Sequence, residues 1–286
     1  MLVPPILELT RLLNCVLAGM AVLIGAVIAT GNLNIPWLVL FSAFATAALV
    51  AGGGNAVNDY FDRDIDRINR PHRPIPSGKI TPRMALIIAQ GLFMAGIAFT
   101  AFLNIYCFLL AILNSAVLFV YTWKLKRLGL AGNVSVGYLV GSTLLFGGLA
   151  TAHLRTGPLI PSGLLVLVLM ASVSTIGREL IKAIEDMRGD RKLGFKTFPL
   201  SYGVGKTATL AIRFLGVAIA ISPVPYLLGI FGWLYLALLI ISVVAFLVAI
   251  VIIARSRDLK AASKASLACK IGMGLGLLAF LAGTFF

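Results

Sequence analysis

Residues 232–253 read GWLYLALLIISVVAFLVAIVII, without one charged side chain. A helix rising about 1.5 Å per residue needs about 20 apolar residues to cross the hydrocarbon core of a bilayer, so this stretch reads as a transmembrane helix. Eight more runs of comparable length occur at 12–31, 36–57, 84–103, 105–123, 133–152, 160–182, 207–229 and 267–286. The run ending near Thr30 is too long for the apolar region of a signal peptide and is taken as the first span. Composition agrees: the apolar fraction is 60%, charged residues make up 12% and the mean hydropathy is +1.02. Soluble domains carry about 45–50% apolar and about 25% charged residues. The expectation is an all-α integral membrane protein, a nine-transmembrane-helix bundle forming a single membrane domain over 1–286.

Charge placement supplies an orientation. The net charge of +14 would suggest a nucleic-acid partner in a soluble protein. Here the basic residues sit in short connections between apolar runs, which marks the cytoplasmic side and excludes nucleic acid as the expected partner. With the N-terminus inside, only Arg155 of the 24 basic residues falls outside. The expected placement is multi-pass in the cell membrane, among membrane lipids, with the N-terminus and active-site loops cytoplasmic. Cys15, Cys107 and Cys269 lie far apart, have no metal-like spacing, and read as small apolar packing residues.

Eight of the ten acidic residues fall in two clusters: Asp59, Asp62, Asp64 and Asp66, then Glu179, Glu185, Asp186 and Asp190. They follow the second and sixth runs, four crossings apart, and so belong to the same membrane face. At about 100° per residue, Asn58, Asp62 and Asp66 form one stripe if the second helix continues, Asn55 and Asp59 share its sector, and Asp64 points away. Like charges at this spacing repel and call for cations. Glu179, Lys182, Asp186 and Asp190 form a similar stripe if the sixth helix persists past Met187, which Gly189 argues against. Arg178, Glu179 and Lys182 fall inside the apolar span, where ionisable groups are costly and usually functional. Hard oxygen donors without a cysteine or histidine set suit Mg²⁺, which takes one or two carboxylates and completes its shell with water and phosphate. Arg63, Arg67, Lys182 and Arg188 are candidates for phosphate oxygens. The alternative for either cluster alone is a solvated loop of mixed charge.

A transporter would place its ionisable groups near the bilayer midplane, often at broken helices; here they gather at helix ends. A lipid-anchoring scaffold explains the basic loops but not the spaced carboxylates.

Asn58-Asp59-x-x-Asp62-x-x-x-Asp66, followed by Asn69-Arg70-Pro71-His72-Arg73-Pro74-Ile75-Pro76-Ser77-Gly78, resembles the first signature of UbiA-type intramembrane prenyltransferases, and Asp186-x-x-x-Asp190 resembles the second. Within that superfamily, Arg178-Glu179-Leu180-Ile181-Lys182 leading into Glu185-Asp186, with Lys192-Leu193-Gly194 running to Thr197 and Pro199, is most similar to the archaeal digeranylgeranylglyceryl phosphate synthases. The resemblance implies that Asn58, Asp62, Asp66, Asp186 and Asp190 hold two Mg²⁺ ions bridging a prenyl diphosphate. It implies further charge on the diphosphate from Arg63 and from Lys124, Lys126 or Arg127, with Tyr121 preceding that basic run. The implied donor is geranylgeranyl diphosphate, the acceptor geranylgeranylglyceryl phosphate, and the product an archaeal ether-lipid precursor. An aromatic acceptor of the quinone or chlorophyll type is the alternative. Lys182, Arg188 and Lys196 are candidates for the acceptor phosphate. Glu179 is expected to take the hydroxyl proton or orient the acceptor, the alternative being an ion pair with Arg178 or Lys182.

Three prolines and a glycine make 70–78 a defined turn path, read as a lid over the diphosphate or as a plain connector. Thr81-Pro82 is expected to cap the third span. Asn133 and Tyr138 are read either as acceptor-pocket residues or as polar packing. Gly52, Gly53 and Gly54 are read as sites of close helix packing.

Overall fold

The computed structural model describes residues 4–192 and 194–285, so Leu193 of the phrase above lies outside the described residues. The elements are α1 (Pro5–Thr10), α2 (Leu12–Thr30), α3 (Trp37–Asn69), α4 (Pro82–Phe99), α5 (Ile105–Trp123), α6 (Gly129–Ala150), α7 (Ser162–Lys192), α8 (Phe198–Tyr202), α9 (Val204–Ile221), α10 (Val224–Leu227), α11 (Trp233–Arg255) and α12 (Leu259–Phe285). Among the described residues, nine helices are long and apolar enough to cross a membrane. The chain is a multi-pass, all-α membrane protein.

The nine spans occupy the expected places, with two differences that matter. The second and sixth apolar runs do not stop at the hydrocarbon boundary. They continue as α3 and α7, of 33 and 31 residues. The cap expected at Thr81 is formed, with its side chain accepting from Met84 N at 3.2 Å and Pro82 at the first helical position.

Two compact units divide the chain. One contains residues 33–124 and 142–159 with the N-terminal segment through Ala26; the other contains 125–141 and 160–286 with residues 27–32.

In the first unit, α2 and the end of α6 touch through glycine. A Cβ on Gly25 would strike the Leu144 carbonyl, and one on Gly147 would strike the Val22 carbonyl. Each glycine thus receives the other helix's backbone. Such contact replaces the hydrophobic drive that is absent between helices in lipid. Gly53 packs on α4 in the same way, with the Phe93 ring 2.9 Å and the Ala89 carbonyl 3.1 Å from where a Cβ would stand. The three cysteines are free and buried.

In the second unit, the core is an apolar cluster from α7, α9, α11 and α12, including Leu180, Ile181, Ile184, Leu215, Ile253 and Cys269. It clamps one face of α7 and leaves the polar residues of that helix on another.

Gly147→Ala is expected to lower stability by about 1–3 kcal/mol, the usual cost of overpacking a close contact. Gly274→Ala, where a Cβ meets nothing, is expected to stay near the parent. Thermal unfolding of the two variants in detergent checks the contrast.

Candidate active site

The first carboxylate set depends on α3 remaining helical through NDYFDRDIDRIN. It ends at Asn69 because Pro71 bars the helical conformation at Arg70, whose φ and ψ are −144° and 61°. Arg70 N still donates to the Asp66 carbonyl at 2.8 Å, closing the last turn.

On this helix the acidic residues divide into three kinds. Asp64 is exposed and, among the described residues, pairs with Arg67 at 3.4 Å and Arg63 at 3.8 Å. It therefore lies off the stripe, and it takes Arg67, read as a phosphate ligand, to the solvent face with it. Asp59 is buried, 3% exposed at the side chain, and is held by Arg11 at 2.6 Å and Arg73 at 3.2 Å. Arg73, itself 14% exposed, also holds Asp66 at 2.6 Å. Asn58 and Asp62, which flank Asp59 in sequence, are half-buried. Sequence reasoning grouped Asp59 with the oxygen stripe and missed its role as an anchor. The signal was the pair of arginines on either side of it in the chain, Arg11 and Arg73.

Both arginines come from segments with reasons to be where they are. Arg11 breaks α1 from α2 at φ 53°, a left-handed conformation that non-glycine residues rarely adopt, and its ion pair with Asp59 holds it there. Arg73 sits on the proline-rich path after α3. That path is pinned by Ile75 and Ile80, which are buried against Leu9, Ala56 and Val57. His72 is exposed beside it. Arg63 lies with its guanidinium 4.7 Å from the Tyr60 ring centre and donates to the Tyr60 carbonyl at 3.0 Å.

The second set sits on α7, which runs through Gly189 instead of ending there. The stop comes at Gly194, with φ 68°. Gly194 N donates to the Arg191 carbonyl at 3.2 Å and Phe195 N to the Asp190 carbonyl at 3.0 Å. This is the Schellman pattern, and it requires a residue that tolerates positive φ. Asp190 is thereby fixed by its own main chain at the base of the terminal turn. Lys196 N then donates to the Arg127 carbonyl at 3.1 Å, and Gly129 N to the Lys196 carbonyl at 2.8 Å. This pairing brings the basic connector beside the segment after Asp190, where the Arg127 guanidinium lies 5.3 Å from the Phe195 ring centre. Lys126 is half-buried next to it, and Tyr121 is half-buried near the end of α5.

Deeper along α7, Glu179 pairs with Arg178 at 2.6 Å. Lys182 instead meets Asp186 at 3.8 Å, and both of their side chains are about half exposed. Of the two ion-pair partners considered for Glu179, the structure selects Arg178.

The UbiA prenyltransferase family model matches residues 18–281. The chain belongs to this family. It is 43% identical to the digeranylgeranylglyceryl phosphate synthase of Methanopyrus kandleri over 277 residues, 96% of this chain and 97% of that one. It is also 43% identical to the synthase of that name from Methanothrix thermoacetophila over 282 residues, covering 97% and 98%. A solved structure of a digeranylgeranylglyceryl phosphate synthase in membranes superposes with a TM-score of 0.87 at 37% identity, covering 98% of each chain. A UbiA homologue from Archaeoglobus fulgidus, bound to DMAPP and Mg²⁺, shares the fold with a TM-score of 0.71 at 15% identity, covering 96% and 98%.

For a UbiA family member, the donor chemistry on α3 and α7 fits a hard cation. Among the described residues, no group of three or more acidic, histidine or cysteine side chains is already gathered as a metal cage. Mg²⁺ does not need one, since it takes one or two carboxylates and keeps water and phosphate in the remaining positions. Asp186 offers a loosely paired carboxylate that suits such ligation.

Arg73→Ala is expected to destabilise the protein by about 3–5 kcal/mol, because it leaves buried carboxylates undercompensated. Arg67→Ala removes only an exposed pair and is expected to change stability by less than about 0.5 kcal/mol. Comparing thermal unfolding of the two variants separates the anchor from the surface charge.

Proposed function

We propose that this chain, working as one prenyltransferase domain over 1–286, transfers the geranylgeranyl group of geranylgeranyl diphosphate to the free hydroxyl of geranylgeranylglyceryl phosphate, forming digeranylgeranylglyceryl phosphate. The near full-length identity to enzymes of that name carries this reading. The two carboxylate-bearing helix extensions supply its chemistry. In this reading the loops and the N-terminus face the cytoplasm, where the diphosphate is available, and the prenyl chains lie among membrane lipids.

Asn58, Asp62 and Asp66 on α3, and Asp186 and Asp190 on α7, are the residues that would hold Mg²⁺. Bound there, the ions would supply positive charge that stabilises diphosphate as a leaving group. Arg63 and the connector residues Lys126 and Arg127 add cationic donors for the same oxygens, and Tyr121 borders that connector. In this reading Lys182, one turn before Asp186, would also contact the diphosphate. The allylic C–O bond breaks with both electrons going to the diphosphate oxygen, and apolar helix faces keep water from the resulting carbocation. The acceptor hydroxyl oxygen attacks C1, forming the ether bond, and its proton passes to the Glu179 carboxylate. The Arg178 pairing orients Glu179 for that task.

Asp62→Ala and Asp186→Ala are each expected to reduce turnover by at least about 10³-fold, in line with the loss of electrostatic stabilisation at a developing charge. A chelator should abolish activity in the parent, and added Mg²⁺ should restore it. Labelled geranylgeranyl diphosphate, offered with glyceryl phosphate and aromatic acid acceptors, checks the assignment. Label in digeranylgeranylglyceryl phosphate supports it, and label only in an aromatic product assigns the chain to the other acceptor class. Near-parent turnover in either folded variant would refute the metal-binding roles.

A further inference from the structure

Thr175, Arg178, Glu179, Lys182, Asp186 and Asp190 fall within about 120° of one another on α7, at about 100° per residue. The outer members of this stripe are reached by water, whereas the inner three are enclosed. Arg178 and Glu179 are 17% and 15% exposed at the side chain, and Thr175 is 2% exposed.

Inside that enclosed part, donors outnumber acceptors. A guanidinium presents five N–H groups. Glu179 takes one from Nη1 at 2.6 Å, while Nε is shielded from solvent and has no partner. The Thr175 hydroxyl is shielded and unpartnered, without the bond to a preceding carbonyl that neighbouring Ser174 makes to Met170 at 2.6 Å. On α6, the amide nitrogen of Asn133 is also shielded and unpartnered. Gly137 and Gly141 lie on the α6 face that meets α7, against Ile176, Ser172 and Val168. Asn133 is one turn before Gly137 on that face, and the helices run in opposite directions, so it stands level with residues 176–180.

Native proteins rarely leave buried polar groups unmatched, and three shielded donors within about one turn along the helix axis call for an oxygen acceptor. Arg178 and Glu179 balance in charge, but the guanidinium edge left unmatched at Nε offers the planar fork of donors that suits phosphate oxygens. The positions named from sequence spacing fit this less well, since Lys182, Arg188 and Lys196 are all exposed.

We propose that Arg178, with Thr175 and Asn133, seats the phosphate monoester of the prenyl acceptor, and that Glu179 beside it receives the acceptor's hydroxyl. This rests on the glyceryl-acceptor reading above. An anion bound by Arg178 and a hydroxyl bound by the next residue match an acceptor that carries both groups on one short carbon skeleton. The seat makes acceptor choice a property of α6 and α7, separate from the terminal carboxylates that serve the donor.

The test uses the full chain in nanodiscs of phosphatidylcholine, with geranylgeranyl diphosphate as donor. Geranylgeranylglyceryl phosphate and its dephosphorylated alcohol are the two acceptors. The parent is expected to favour the phosphorylated acceptor in kcat/KM. Arg178→Gln should erase roughly 10- to 100-fold of that preference, the range of a charged hydrogen bond, by raising the acceptor KM while the donor KM stays at the parent value. Arg178→Lys should recover part of the preference, and Thr175→Val should lose a smaller share. If Arg178→Gln fails to fold with Glu179 left unpaired, Arg178→Gln combined with Glu179→Gln and assayed for acceptor binding carries the same comparison. An unchanged preference in folded Arg178 variants would overturn the seat and assign the unmatched donors to bound water. A raised donor KM would overturn it in favour of the diphosphate. A parent that prenylates neither glyceryl acceptor refutes the functional reading itself, a failure visible before any variant is made.

Discussion

Carboxylates on helices that emerge from a bilayer must be balanced by cations, and the arrangement of this protein follows from how that balance is met. The first acidic helix end would repel itself along its own stripe. Arg11 and Arg73 prevent this by closing on Asp59 and Asp66 at 2.6 Å each. The two arginines come from opposite sides of α3 in the chain, so the neutralisation also fastens the N-terminal helix and the proline-rich path to the same point. Removing charge from water is expensive, and a buried pair stabilises only when its geometry is good. These pairs are better understood as positioning elements, fixing where the remaining oxygens of α3 stand.

The second acidic helix meets the same demand in another way. Its inner carboxylate, Glu179, is matched by the adjacent Arg178, while the outer Asp186 meets Lys182 only at 3.8 Å. Pairing therefore loosens toward the helix end. That gradient suits a division of labour in which the inner charges are held by protein and the outer ones remain available to a hydrated cation and phosphate. The helix end itself is secured by main-chain bonds at Gly194 and by the strand-like pairing of residues 127–129 with Lys196, not by side-chain charge.

Much of this was legible from residue order because a bilayer constrains the backbone so strongly. Helices must satisfy their own hydrogen bonds in lipid, so apolar length alone locates the spans. The four-residue spacing of Asn58, Asp62 and Asp66 was readable for the same reason, once the helix was allowed to continue. What escaped were interactions between residues far apart in the chain. Nothing near Asp59 distinguishes it from Asp62; only Arg11 and Arg73, 48 and 14 positions away, make it an anchor. Gly189 misled in the opposite sense. A glycine inside a helix costs only about 1 kcal/mol, which the packed face of α7 readily offsets, whereas Gly194 adopts a backbone conformation that glycine favours and so ends the helix.

The unmatched donors at Thr175, Arg178 and Asn133 could not have been found from spacing, because being unmatched is a property of surroundings. A prenyl diphosphate presents its charge at one end, and cations at the helix termini suffice for it. An acceptor with its own anionic group imposes a second requirement. Its phosphate must be held away from the diphosphate, since two anions competing for the same cations would weaken both sites and leave the hydroxyl without a fixed direction. Under the proposed seat, a guanidinium about 12 Å along the helix axis from Asp186, at about 1.5 Å per residue, would separate the two charges, with Glu179 beside it. In that proposal, the cost of burying Arg178 with an unsatisfied donor would be the means by which one acceptor class is distinguished from its neutral analogue.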